Sequence, residues 1–110
     1  MKASILITAN TTGTKIGNIV RPRELDFWAA LMFAYGTWGS GTLSWYWSPD
    51  NGTTLMSFKD LLGGIQTSTA NDSFNTTLQT GKNNTDRVSA WVALSGATSP
   101  SLTVGYYDAN

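Results

Sequence analysis

The chain has 110 residues, with 7 Lys+Arg balancing 7 Asp+Glu, 5 Trp, 4 Tyr and 4 Phe, and neither His nor Cys. Without His there is no imidazole base, no Ser-His-Asp triad and no His-ligated zinc; without Cys there is no disulfide framework and no thiolate nucleophile. Zero net charge at 13% charged residues gives no basic footprint for nucleic acid or an anionic membrane, so neither is expected as a partner, whereas self-association meets little charge repulsion.

The length fits one domain over residues 1–110, since domains commonly run to roughly 100–150 residues. The 16 Thr, 11 Ser, 8 Asn and 11 Gly favour strands and turns, and Glu24 is the only glutamate. An all-β chain with many connections is expected.

In chain order, residues 3–9 alternate Ala3, Ile5 and Ile7 against Ser4, Leu6 and Thr8, which predicts a strand. The apolar part of this segment, residues 3–7, is shorter than a secretory h-region. No run approaches a spanning helix, so a soluble chain made in the cytoplasm is expected. Residues 10–13 form a turn cluster, residues 15–20 a weak strand, and Pro22 interrupts the ladder between Arg21 and Arg23. Residues 1–24 read as an N-terminal arm or edge strand. Residues 25–35 suit a helix stripe or a strand; the strand is preferred, covered on both faces.

The Gly-rich connection 36–41 leads to a strand at 42–47, with Leu43, Trp45 and Trp47 on one face. Ser48-Pro49-Asp50-Asn51-Gly52 is a strong turn signal, because Asn51-Gly52 tolerates positive φ, and residues 53–58 return as the hairpin partner. Residues 59–64 make an apolar corner, 73–78 a strand, 79–86 a polar loop, 87–94 a strand, 95–100 a turn, and 101–107 a strand with Leu102, Val104 and Tyr106 on one face. About seven or eight short antiparallel strands between turns predict a single β-sandwich or jelly-roll-like domain.

The chemistry available is sparse. Glu24, Asp26, Asp50, Asp60, Asp72, Asp86 and Asp108 are scattered, and no pair stands out as the acid and base of a glycosidase. Asp50 and Asn51 could offer oxygen ligands to calcium, but no glutamate completes an EF-hand loop, and an Asx-stabilised turn explains them. The glycines at 36, 39 and 41 lack the Lys-Ser/Thr of a phosphate loop. Five Asn-x-Ser/Thr triplets, at Asn10, Asn51, Asn71, Asn75 and Asn83, follow from the composition. No catalytic residue, metal or cofactor is expected, and the chain reads as a non-enzyme.

The aromatics carry more information. Five Trp exceed what one small core holds, so part of them is expected at a contact surface, where Trp is enriched among hot spots. Trp28, Trp38, Trp45 and Trp47 are the candidate protein- or ligand-contact residues, with Trp45 and Trp47 also a possible stacking platform for sugars. Arg21 and Arg23 join them as part of the candidate arm.

Gly36-Thr37-Trp38-Gly39-Ser40-Gly41-Thr42-Leu43, then Ser48-Pro49-Asp50-Asn51-Gly52-Thr53-Thr54, and Leu94-Ser95-Gly96-Ala97-Thr98-Ser99-Pro100-Ser101-Leu102-Thr103-Val104 near the end resemble a pattern in small virion proteins of tailed-phage structural gene clusters. The likeness spans residues 36–54 and 88–107. It departs at Asn51, at the Trp-Tyr-Trp strand and at Leu55, where glycine or an aromatic is common. The resemblance implies a β-sandwich or jelly-roll capsid decoration (cement) protein, located on the virion capsid surface. Its partners would be the major capsid protein or other virion proteins, and it would form a homo-oligomer, dimer or trimer. It carries over no catalytic residue. The competing expectation is a carbohydrate-binding or host-adhesion module of a head or tail fibre, with residues 79–86 among its suspects.

Overall fold

The computed structural model describes residues 2–20, 27–59, 62, 64–79 and 87–108. Nine strands are found there: β1 (Lys2–Ile7), β2 (Thr11–Val20), β3 (Phe27–Thr37), β4 (Thr42–Ser48), β5 (Met56–Ser57), β6 (Thr67–Ser68), β7 (Asp72–Gln79), β8 (Arg87–Ser95) and β9 (Ser101–Asp108). All pair antiparallel, in two sheets. The first sheet has the order β1-β9-β3-β7; the second has β2-β8-β4-β5, with β6 also on β4.

This order has a simple origin. The chain behaves as one long hairpin whose arms pair in nested fashion: β1 with β9, β2 with β8, β3 with β7, and β4 with β5 and β6. Successive nested pairs alternate between the two sheets, and the added β3–β9 and β4–β8 ladders close each sheet. That winding is the jelly roll. The expected all-β sandwich is therefore what the chain forms, with β5 and β6 together filling the eighth strand position.

The core lies between the sheets. Period-two alternation turns Ile5 and Ile7 of β1, Leu43 and Trp45 of β4, Val88, Ala90, Val92 and Leu94 of β8, and Leu102, Val104 and Tyr106 of β9 inward. Trp45 meets Phe74 edge-on at 5.1 Å between ring centroids, and Phe58 meets Phe74 at 6.3 Å. The hydroxyl of Tyr106, on the first sheet, donates to the Asn18 carbonyl of β2 at 2.6 Å, which ties the two sheets across the core.

Several boundaries differ from expectation. β2 starts at Thr11, within the expected turn cluster, because irregularities at Thr11/Thr14 and Lys15/Gly17 absorb the extra residues without ending the ladder. The hairpin return over residues 53–58 forms a ladder with β4 only at Met56–Ser57, with the Phe58 amide adding a bond to the Trp45 carbonyl at 3.1 Å. The chain then leaves β4, bridges Lys59 to Ile65, and comes back as β6. Residues 2–20 sit in the sandwich as β1 and β2, at one end of each sheet order.

Residues 27–37 form a strand, as preferred over the helix, but the expectation of cover on both faces fails. Ala30, Met32 and Ala34 face the core, while Leu31 and Tyr35 are exposed. Register places Met32 between Phe74 of β7 and Tyr106 of β9 on the inner face, with the small Ala30 and Ala34 on either side of it.

Candidate functional site

The residues that carry the sequence resemblance assemble into one structural unit. β4 pairs along β8 from Thr42↔Ser95 to Ser48↔Ser89, and the Thr98 amide donates to the Gly39 carbonyl at 2.9 Å. Gly39 has φ +58, and a Cβ there would run into the Thr98 carbonyl. The Asn71 carboxamide oxygen accepts from the Gly36 amide at 3.0 Å and the Trp38 indole N–H at 2.9 Å. Asn10 grips the Ala97 backbone from both sides, donating to its carbonyl and accepting from its amide, each at 3.0 Å. Four connections are thus clamped at one end of the sandwich, and the motif reads as scaffold.

The other motif turn is equally self-contained. Asn51 and Gly52 take φ of 57 and 99. The buried Ser48 hydroxyl donates to Asp50 Oδ1 at 2.7 Å and accepts from the Gly52 amide at 2.8 Å. The Thr54 amide donates to the same Asp50 oxygen at 2.7 Å. That amide, then the Ser48 hydroxyl, holds the Asp50 carboxyl below the usual carboxylate range. Lys15 Nζ donates to Asn51 Oδ1 at 2.6 Å. A surface depression of about 420 Å³ lies here, lined by Lys15, Asn18, Ser48, Pro49, Asp50, Asn51 and Ser89. The Asp50 oxygen described already serves two donors within its own turn, and Lys15 is engaged by Asn51. The polar groups at this turn are thus partnered with one another, as a self-supporting turn requires.

The tryptophans nominated from sequence go to different places. Trp45 is wholly buried, its indole N–H donating to Ser68 Oγ at 3.0 Å, which in turn donates to Asp72 Oδ2 at 2.7 Å. It offers no contact surface, because the strand face it shares with Leu43 is the inward one. Trp47 and Trp38 are partly buried and packed against the core, so Trp45 and Trp47 make no exposed sugar platform. Trp28 lies on β3 opposite Leu78 of β7. Arg21 and Arg23 lie outside the described residues, as does the 80–86 part of the polar loop. Trp91, on the outer face of β8, donates to Ser89 Oγ at 2.8 Å and is overlaid by the turn at Gly52, where a Cβ would strike its ring.

The exposed aromatic surface is elsewhere, on the outer face of the first sheet. Register lines up Lys2, Tyr107 and Leu31 in one row, Ser4, Gly105 and Phe33 in the next, and Leu6, Thr103 and Tyr35 in the third. Tyr35 is 50% exposed, Tyr107 46% and Leu6 64%. The Phe33 ring lies 5.4 Å from Tyr107 and 6.1 Å from Tyr35 between centroids. Gly105 makes this arrangement possible: a Cβ there would strike the Ala3 carbonyl and come within 2.7 Å of Phe33 Cζ, so the bare backbone is the seat of the ring. Lys2 Nζ sits 5.8 Å from the Phe33 centroid and 5.5 Å from that of Tyr107. The result is a preorganised patch of three aromatic rings and two leucines, ringed by Ser4, Thr103, Ser73 and Asn75.

Sequence reasoning missed these residues because it ranked aromatics by type. A signal was present: once Leu102, Val104 and Tyr106 are placed inward, Tyr107 must point out.

No protein-family model matches the chain, and no curated protein matches it. Among solved structures it is similar to the coat protein of Tobacco streak virus, at a TM-score of 0.32 and 13% identity, over 97% of this chain and 88% of that one. At that score no property of the coat protein is carried over.

Proposed function

We propose that the chain is a virion structural protein of the capsid decoration type, which binds the major capsid protein by adhesion through the outer face of the first sheet. The observation that carries this reading is the aromatic patch around Phe33, Tyr35 and Tyr107 on the outer face of the jelly roll. Aromatic anchors at the centre of an exposed patch with a polar rim are the make-up of interaction sites. The resemblance of residues 36–54 and 88–107 to tailed-phage structural proteins points the same way, and the jelly roll is an architecture that viral capsid domains use. Association as a dimer or trimer would multiply weak contacts by avidity.

The rows of the sheet set the scale. Four strands about 4.8 Å apart and three rows of outward residues define a face of roughly 400 Å². A standard interface buries about 800 Å² per partner. One copy alone therefore holds weakly, and a shell that presents many equivalent sites suits it. Cryo-electron microscopy of the particle tests the reading: density for the protein at symmetry-related outer capsid sites is expected, and its presence only in the tail would contradict it.

One observation favours a second reading, a glycan-binding adhesion module. The half-exposed rings of Tyr35 and Tyr107 lie beside hydroxyl-bearing Ser4 and Thr103, the combination that stacks on and hydrogen-bonds to sugars. Titration with a panel of oligosaccharides, followed by chemical shifts of these two tyrosines, separates the readings; no response counts against it.

A further inference from the structure

We infer that the surface covering the Phe33–Tyr107 pair belongs to a protein other than a second copy of this chain, and that it brings a carboxylate to Lys2. This deepens the adhesive reading above and rests on it.

The starting point is where the ammonium sits. Lys2 opens β1 and stands in the same row as Tyr107, and its Nζ lies over two rings at 5.5 and 5.8 Å. Among the described residues it is the only formally charged side chain on this face. The others are aromatic, aliphatic, hydroxyl or amide. The charge is thus held over the aromatic centre of the patch, where any partner that covers the rings must also cover the ammonium.

Covering it removes water from a compact, strongly hydrated cation. The ring faces replace part of that hydration. The rest must come from the partner, and a carboxylate does so with the strongest available hydrogen bond. A surface without one leaves a buried unpaired charge, which is heavily disfavoured.

The same geometry argues against a second copy. Two identical subunits meeting face to face about a two-fold axis place the same patch on both sides. Two Lys2 ammonium groups would then be confined in one contact, and the described residues of the face supply no carboxylate to either. An acidic, otherwise apolar surface on a different protein is complementary in both charge and polarity. Such pairing governs specificity and encounter rate more than raw affinity, which suits a face too small to hold by area.

The test is cosedimentation of the purified chain with shells of the major capsid protein of the virion it is proposed to decorate, at about 50 and about 300 mM salt, across which screening tightens markedly. Wild type and Lys2→Arg are expected to bind and to weaken with salt. Lys2→Gln is expected to bind about tenfold less tightly at the low salt and to lose most of the salt dependence. If Lys2→Gln binds like wild type with the same salt dependence, the inference fails and the adhesive reading stands. If wild type does not bind the shells, the adhesive reading fails and the inference with it. A wild-type dimer in light scattering that Phe33→Ser dissolves would also overturn the inference, in favour of a second copy.

Discussion

Replacing Trp45 by Phe tests whether the most prominent aromatic strand is core or surface. Trp45 is fully buried, packs edge-on against Phe74 at 5.1 Å and donates its indole N–H to Ser68. Phenylalanine keeps a ring in the site but removes the volume of roughly two to three methylene groups, at about 0.8 kcal/mol each. It also removes one buried hydrogen bond, worth about 1 kcal/mol. Ser68 keeps its own donation to Asp72, so the loss does not spread along that chain of hydrogen bonds. The sum is about 3 kcal/mol. With a urea dependence of about 1.5 kcal/mol per molar for a domain of this size, the unfolding midpoint falls by about 2 M. Circular dichroism is the appropriate probe, since the substitution alters fluorescence directly. Trp47→Phe, at a partly buried ring on the same strand, is the control, with an expected loss of less than half as much. A Trp45→Phe midpoint within about 0.3 M of wild type, or equal to that of Trp47→Phe, would refute the placement of Trp45 at the centre of the core.

Two further outcomes follow from local geometry. Gly39 and Gly96 both have positive φ, but a Cβ at Gly39 would collide with the Thr98 backbone, while one at Gly96 would meet nothing within 4 Å. Gly96→Ala should therefore cost only the left-handed penalty of about 1–2 kcal/mol and Gly39→Ala clearly more, as read by urea midpoints; equal losses would contradict the interlocked loop. Asp50 has its carboxyl held below the ordinary value by the Thr54 amide and the Ser48 hydroxyl. Its folded pKa lies under its unfolded one, so its contribution is complete above the unfolded value and is lost as pH falls through the folded one. Urea midpoints measured from about pH 5 to about pH 2 should fall less steeply in Asp50→Asn than in wild type; parallel curves would remove Asp50 from the turn's stabilisation.

Much of this fold is legible in the sequence, for reasons that can be named. β8 and β9 alternate cleanly because each has one face against the core and one away from it. The 48–52 turn announces itself because Asn51 and Gly52 are the residues that accept its positive φ. β5 and β6 were harder: two residues each, they are defined by what they pair with on β4, and no periodicity survives at that length. The nested order is invisible locally, since a strand's own residues do not say whether its partner lies ten or a hundred positions away. β3 shows the remaining difficulty. Both of its faces are apolar, so alternation identifies two faces without saying which is buried; the neighbouring strands decide it, since Met32 shares its row with the inward Phe74 and Tyr106. The candidate site was misplaced for the same reason. Trp38, Trp45 and Trp47 stood out by residue type, but their rings serve the scaffold, whereas Phe33, Tyr35 and Tyr107 come together only when β3 and β9 pair across Gly105.

The central claim is that the outer face of the first sheet serves contact and not stability. The most direct measurement compares wild type with the Tyr35→Ser, Tyr107→Ser double variant, whose rings are each about half exposed, in shell cosedimentation and urea unfolding side by side. Two central aromatic anchors are each worth on the order of 1–2 kcal/mol in binding, so a loss of affinity on the order of thirtyfold to a thousandfold is predicted, with the unfolding midpoint little changed. A double variant that binds the shells as tightly as wild type, with its fold intact, would contradict the claim.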